Sequence, residues 1–197
     1  MKIFKFKTTP KSSLAPNYAF TIGVNYIDED VDCKTLLNLA KSKKDLLSLD
    51  DPVIKKLIEM LLQQYRVYIF NAGLNLEDCY LECKTFISKK DTDYTLINKD
   101  EHAYISMNLD LISNKGTTNY LMPLLSSLNL NKNEQHSIPN VIGKVTVFES
   151  SIPFYSVKNK KERVNIIFNI LTREHVEQIK KQDKKRFKKI IKFYEQA

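Results

Sequence analysis

The apolar positions of this 197-residue chain follow two different periods. Between Asp51 and Gly73 they recur at helical spacing. Ile54, Leu57, Ile58, Leu61, Leu62 and Tyr65 fall at i, i+3, i+4, i+7, i+8 and i+11, a single stripe down one helix face. Asp51 can accept from the unpaired N–H groups of the first turn, Pro52 suits that turn, and Gly73 offers a stop. A shorter helix carrying Leu36, Leu37 and Leu39 is expected before it, capped from Asp28, Glu29 and Asp30.

After Gly73 the period becomes two. Ala103, Ile105, Met107, Leu109 and Leu111 alternate with Tyr104, Ser106, Asn108 and Asp110, which in a strand sends the two sets to opposite faces. Residues 79–87, 121–124, 144–148, 152–157 and 163–171 read as further strands, as do 2–6 and 19–27 near the start. Gly23 is expected to mark a bulge or a close approach, and residues 10–16 a polar turn. Many short strands at turn-marked intervals argue for a sandwich or barrel. With no internal repeat and no Gly/Ser linker, one domain is expected. Strands and helices fill residues 1–77, a β core 78–171, and a basic helix 172–197.

Charge changes this picture only at the end of the chain. Lys and Arg number 31 against 23 Asp and Glu, a formal charge of +8. Residues 172–197 hold nine basic and four acidic side chains, net +5, which leaves +3 for the other 171 residues. The basic character therefore belongs to the closing helix, expected over residues 173–194. Val176, Ile179, Phe187, Ile190, Ile191 and Tyr194 form its interrupted apolar stripe, with Asp183 breaking it. Such a helix is either a solvated face packed by one edge or a handle for phosphate or an acidic partner surface. No glycine-rich phosphate loop, RNA-binding aromatic motif or zinc-finger spacing accompanies it, so specific nucleic-acid recognition has no support.

Cys33, Cys79 and Cys83 are too few for a disulfide framework or a structural zinc set. Cys79 and Cys83 share a strand face and read as small buried apolar residues. No apolar run approaches the roughly 18 residues of a membrane span, and the N-terminus has no export-type apolar core. A reducing cytoplasm, or a virion packaged from one, is the expected setting, with no secretion and no membrane partner.

The segment from Ile138 to Leu171 carries the most information. Pro139, Gly143, Phe148, Ser150, Val157, Arg163, Phe168 and Asn169 stand in an order that resembles the C-terminal half of Fe(II)/2-oxoglutarate-dependent oxygenases, especially a compact group common in marine bacteriophages. Upstream, a helix, a strand ending near Ser88 and a polar loop follow the same plan, with residues 103–111 in place of that family's Ser-Gly-Val-Tyr-Tyr strand. The resemblance implies a mainly β, α+β chain: a double-stranded β-helix, or cupin-like jelly roll, with N-terminal helices and a basic C-terminal helix.

It also implies a site. The family's chemistry needs two imidazoles and one carboxylate on one side of Fe(II). Anchoring Ser106 on the family's serine sets Asp100 at the carboxylate position and Asn98 where the first histidine belongs. The second histidine position falls on Phe154 or Tyr155. One ligand of three is thus carried over. Shifting the frame to use His102 puts Tyr104 at the carboxylate. On the cosubstrate side Arg163 matches the arginine that pairs with the distal carboxylate of 2-oxoglutarate, where a bidentate fork is suitable, and Asn165 replaces its usual serine companion. Alternation places Arg163, Asn165, Ile167 and Asn169 on one face, which either lines the barrel or leaves Arg163 at a strand end in water. His102 reads as a loop residue, His175 as surface, and His136 as a polar-loop residue that could fold over the mouth.

These residues lead to three functional expectations. The first is a degenerate, non-catalytic oxygenase-like protein without cofactor. It would act as a binding or assembly module, with a protein partner or itself, and the bacteriophage resemblance implies a phage virion or assembly component. The second is an active Fe(II)/2-oxoglutarate dioxygenase in which His136 or His102 completes the site at Asp100, hydroxylating a protein or small molecule. The third is a nucleic-acid-associated protein working through the basic C-terminal helix.

Overall fold

The computed structural model describes residues 1–7, 19–42, 45–75, 77–88, 94–97, 103–112, 116–121, 135–157 and 162–195. The expected polar turn at residues 10–16 lies outside them, as do Asn98, Asp100 and His102. The element order is β1 (Lys2–Lys7), β2 (Ala19–Tyr26), α1 (Cys33–Ser42), α2 (Pro52–Ala72), β3 (Cys79–Ser88), β4 (Tyr94–Ile97), β5 (Ile105–Asp110), β6 (Thr117–Leu121), β7 (Gln135–Pro139), β8 (Lys144–Glu149), β9 (Phe154–Val157), β10 (Arg163–Thr172), α3 (Arg173–Gln182), α4 (Lys184–Phe187) and β11 (Ile191–Tyr194).

Among the described residues two antiparallel sheets form. The larger runs β1-β2-β8-β5-β10-β3-β11 and the smaller β4-β9-β6-β7. The sequence order is heavily interleaved, as in a jelly roll, where sequential strands alternate between facing sheets. The β core is not confined to residues 78–171, because β1 and β2 extend the large sheet beside β8.

Period-two alternation decides the layers. On β10, Val164, Ile166, Phe168 and Ile170 join Ile105, Met107, Leu109, Val145 and Val147 in a core against the helices. From α2 the stripe Ile54, Leu57, Leu61 and Tyr65 enters the same core. Asp51 caps α2 by accepting from Val53 N at 2.8 Å, and Gly73 ends it at φ 71°. Cys79 and Cys83 face this layer as small apolar groups, and burial pushes both thiols up to about 11. The cap of α1 is Asp32, which accepts from Lys34 N and Thr35 N, rather than residues 28–30, which turn back onto the Ile27 carbonyl first. At Gly23 the register on both sides is continuous, so the residue marks a close approach and no bulge. A Cβ there would meet Met1 Sδ at 2.7 Å and the Tyr68 ring at 3.3 Å.

The C-terminal segment is not the single basic helix that its apolar stripe predicts. Asp183 interrupts it, accepting from Lys185 N and Arg186 N to start α4. The β-branched and aromatic run Ile191–Tyr194 then pairs with the free edge of β3 as β11. An open edge of unpaired backbone groups outcompetes two further helical turns.

Candidate functional site

The opposite faces of β2, β5, β8 and β10 look toward the small sheet, and the space between is divided in two. One part is apolar: Phe20, Ile22, Val24, Tyr120, Ile138, Phe148, Ile152, Phe154 and Ile167. The other is polar and equally closed to water, holding Asp110, Lys144, Arg163, Asn108, Asn165, Thr146, Thr118 and Ser156. The polar residues opposite the apolar set on β5 therefore face this interior, where alternation alone gave no reason to expect anything but solvent.

Arg163 is 1% exposed at the start of β10, inside the barrel and not at a strand end in water. Its Nη2 donates to Asp110 Oδ1 at 3.0 Å and to Thr118 Oγ1 at 2.8 Å. Thr118 passes the chain on, donating to Asn140 Oδ1 at 2.8 Å. Lys144, fully buried, sets its ammonium 2.9 Å from Asp110 Oδ2 and also donates to the Pro139 carbonyl. Burial draws the Lys144 ammonium below the ordinary lysine range, and the Asp110 carboxylate opposes that. Asn165 donates to Asn108 Oδ1 at 2.6 Å. With all three charges present the cluster carries two cations and one anion.

Hydrogen-bonding capacity is left over. Arg163 Nε and Nη1, Asn108 Nδ2, Thr146 Oγ1 and Ser156 Oγ have no hydrogen-bond partner among the described residues. The Tyr120 hydroxyl lies near Thr146 and Asn108 without hydrogen-bond geometry to either, and burial holds its proton well above the ordinary tyrosine range. Sequence reasoning had singled out Arg163 and Asn165 but missed Asp110, Lys144, Thr118 and Asn140. Asp110 had a signal, its place in the alternation with Ser106; Lys144, one residue after Gly143, had none.

Of the two residues at the second histidine position, Phe154 faces inward. Its ring stacks on Tyr120 (5.6 Å, 24°) and meets Phe148 edge-on at 5.0 Å. Tyr155 takes the other face, where its hydroxyl donates to Gln135 Oε1 at 2.7 Å. The register sets Phe154 opposite Ile97, the last residue of β4. Phe154 offers no donor atom. His136 lies on β7 rather than in a loop, its imidazole packed against Phe4 (4.7 Å) and Phe6 (5.0 Å). Burial lowers its pKa, helped by the nearby Lys2 charge. His175 is half-buried, with Nδ1 3.0 Å from Thr172 Oγ1. Among the described residues no three His, Cys, Asp or Glu side chains cluster as metal ligands, and no helix is long and apolar enough to cross a membrane.

A second set joins residues far apart in the chain. Ser106 Oγ lies 2.8 Å from Ser150 Oγ and 3.1 Å from Asn169 Oδ1. All three belong to the frame on which the oxygenase resemblance was built, and the fold brings them into one hydrogen-bonded group.

No family model and no curated protein matches the chain. Solved structures do. A prolyl-4-hydroxylase of Pseudomonas putida superposes with a TM-score of 0.56 at 15% identity, over 77% of this chain and 88% of that one. The viral collagen prolyl hydroxylase of Paramecium Bursaria Chlorella virus-1 gives 0.54 at 12%, over 77% and 89%. A Trichoplax adhaerens prolyl hydroxylase, solved with a hypoxia inducible factor fragment, gives 0.51 at 14%, over 78% and 84%. At these identities the likeness speaks for architecture and not for activity. The chain has the jelly-roll fold of the Fe(II)/2-oxoglutarate-dependent oxygenases.

Proposed function

We propose that this protein uses the oxygenase fold without oxygenase turnover, as a binding or assembly module. The observation that carries this reading is the inward-facing Phe154, packed on Tyr120 and Phe148 where the resemblance places a ligand histidine. The donor set that remains in that frame is Asp100 and the neutral amide of Asn98. It does not fit Fe(II), which that family holds through two imidazoles and a carboxylate. His136 is a poor substitute, since its ring is committed to the aromatic rings of Phe4 and Phe6.

The cosubstrate side supports the same reading. The guanidinium that the resemblance assigns to the distal carboxylate of 2-oxoglutarate already holds a carboxylate, that of Asp110. The chain supplies from its own β5 what the cosubstrate would bring. A phage virion or assembly role is the setting to which the resemblance points, with a protein partner or a second copy as the bound species.

One observation favours a second reading, an oxygenase still able to accept its cosubstrate. Among the described residues two buried nitrogens of Arg163, Nε and Nη1, have no hydrogen-bond partner, and the cluster has one cation in excess. A single assay separates the two. The protein is incubated with Fe(II), ascorbate and 2-oxoglutarate, and succinate release is measured beside a thermal shift with 2-oxoglutarate alone. The module reading expects neither succinate above the protein-free control nor a shift. Sustained succinate release overturns it.

A further inference from the structure

We infer that the segment from Lys180 to Lys189 is a rigid docking surface for the phosphate backbone of a nucleic acid duplex, read without sequence preference. Lysines recur there in pairs every fourth residue: Lys180 and Lys181, Lys184 and Lys185, Lys188 and Lys189. All six are exposed, and none forms an ion pair among the described residues. The residues between the pairs do the anchoring. Asp183 caps α4, and Arg186 grips the buried Glu82 of β3 through Nε (2.9 Å) and Nη2 (2.8 Å). Phe187 and Ile190 pack toward Leu171, Val176 and Ile179. With β11 annealed to β3 just beyond, the lysines stand on backbone held at both ends. This is a different object from a frayed basic helix, because little ordering entropy is left to lose on binding.

The choice of partner follows from what the segment lacks. No large hydrophobic side chain in it is exposed, so it has nothing to insert into a lipid headgroup layer. Its one aromatic ring, Phe187, and those of the adjoining β11 are occupied. Phe187 lies under Lys180, Phe193 against Tyr65 and Tyr194 under Arg66, which leaves no platform on which unpaired bases could stack. Arg186 is turned to the body, so the fork and rings typical of a protein–protein hot spot are absent. Six exposed ammonium groups on a fixed base, that of Lys180 resting over the Phe187 ring, suit the counterion-releasing, sequence-independent mode of duplex binding. The barrel interior plays no part in it.

The test uses the full chain and a fluorescent 20-base-pair duplex, with affinity followed by anisotropy from 50 to 200 mM salt. If all six lysines engage, affinity falls about 10³-fold over that range. Lys184→Glu/Lys185→Glu/Lys188→Glu should weaken binding at 50 mM by at least tenfold and flatten the salt slope by about three. Lys34→Glu/Lys55→Glu/Lys56→Glu, with the same change in net charge on α1 and α2, should leave both within twofold. Circular dichroism checks that each variant is folded. Absence of binding at 50 mM, equal losses in the two triple variants, or equally good competition by polyglutamate or anionic vesicles would each overturn the assignment.

Discussion

The carboxylate of Asp110 lies 3.0 Å from Arg163 Nη2, with both side chains essentially removed from water. Its second oxygen faces Lys144 at 2.9 Å, so one anion holds two buried cations. Breaking such a group is costly because the charges left behind have no solvent. Asp110→Asn should destabilise the fold by about 3–5 kcal/mol in urea denaturation. Replacing all three by apolar residues (Asp110→Leu/Lys144→Met/Arg163→Met) removes the stranded charges and should cost less than the single change. A triple variant weaker than Asp110→Asn would show that the cluster stabilises by mutual attraction and not merely by compensation.

If Phe154 is what denies the barrel a metal, supplying nitrogen donors should restore one. Asn98→His/Phe154→His would complete two imidazoles and the Asp100 carboxylate in the family frame. The double variant should take up Co(II) at least tenfold more tightly than the native chain, seen as visible d–d absorption. Phe154→His alone should lower stability by about 1–3 kcal/mol, since a polar ring enters an aromatic cluster. Equal Co(II) affinity in the native chain and the double variant would remove Phe154 from the argument.

Burial against Phe4 and Phe6 lowers the pKa of the His136 imidazole, and the Lys2 charge adds to this. Its folded pKa lies below the ordinary value of 6.5, so below that pH the unfolded chain binds the proton more readily than the folded one. Stability from this group is therefore intact above 6.5 and falls as the pH drops toward the folded value. His136→Phe should abolish that loss, so the stability gap between variant and native chain should widen from pH 7 to pH 5. Glu149, whose pKa burial raises, contributes with the opposite slope in the acid range and is common to both proteins. A constant gap would mean that His136 does not titrate differently in the two states.

Two glycines share a left-handed backbone and should respond differently to alanine. Gly73 (φ 71°) opens onto free space, whereas a Cβ at Gly143 (φ 74°) would lie 2.5 Å from Asp28 Cβ and 2.8 Å from its backbone nitrogen. Gly73→Ala should cost about 1 kcal/mol, the conformational term alone. Gly143→Ala adds a clash with the backbone that leads into α1 and should cost about 2 kcal/mol more. Equal losses in thermal or urea unfolding would contradict the close approach.

Much of the architecture was legible because it is local. The stripe of α2 with its Asp51 cap and Gly73 stop, and the alternation of β5, β8 and β10, are properties of neighbouring residues, and each formed close to the expected span. Where a partner elsewhere decides the outcome, local pattern failed. The short strands β4 and β7 show little alternation of their own, and β11 reads as helix until the edge of β3 is offered to it.

The sequence by itself determined which residues share a face: Arg163 with Asn165, Ser106 with Asn108 and Asp110. Only the tertiary structure decided that this polar face looks into a sealed barrel, and that Asp110, 53 positions before Arg163, is the group that meets it. The reason is physical. Alternation follows from the two-residue repeat of an extended backbone, whereas the inside of a sheet is defined by what covers it. Here the cover is a second sheet, whose Thr118 hydroxyl accepts from Arg163 where β5, β8 and β10 lie in register beneath it.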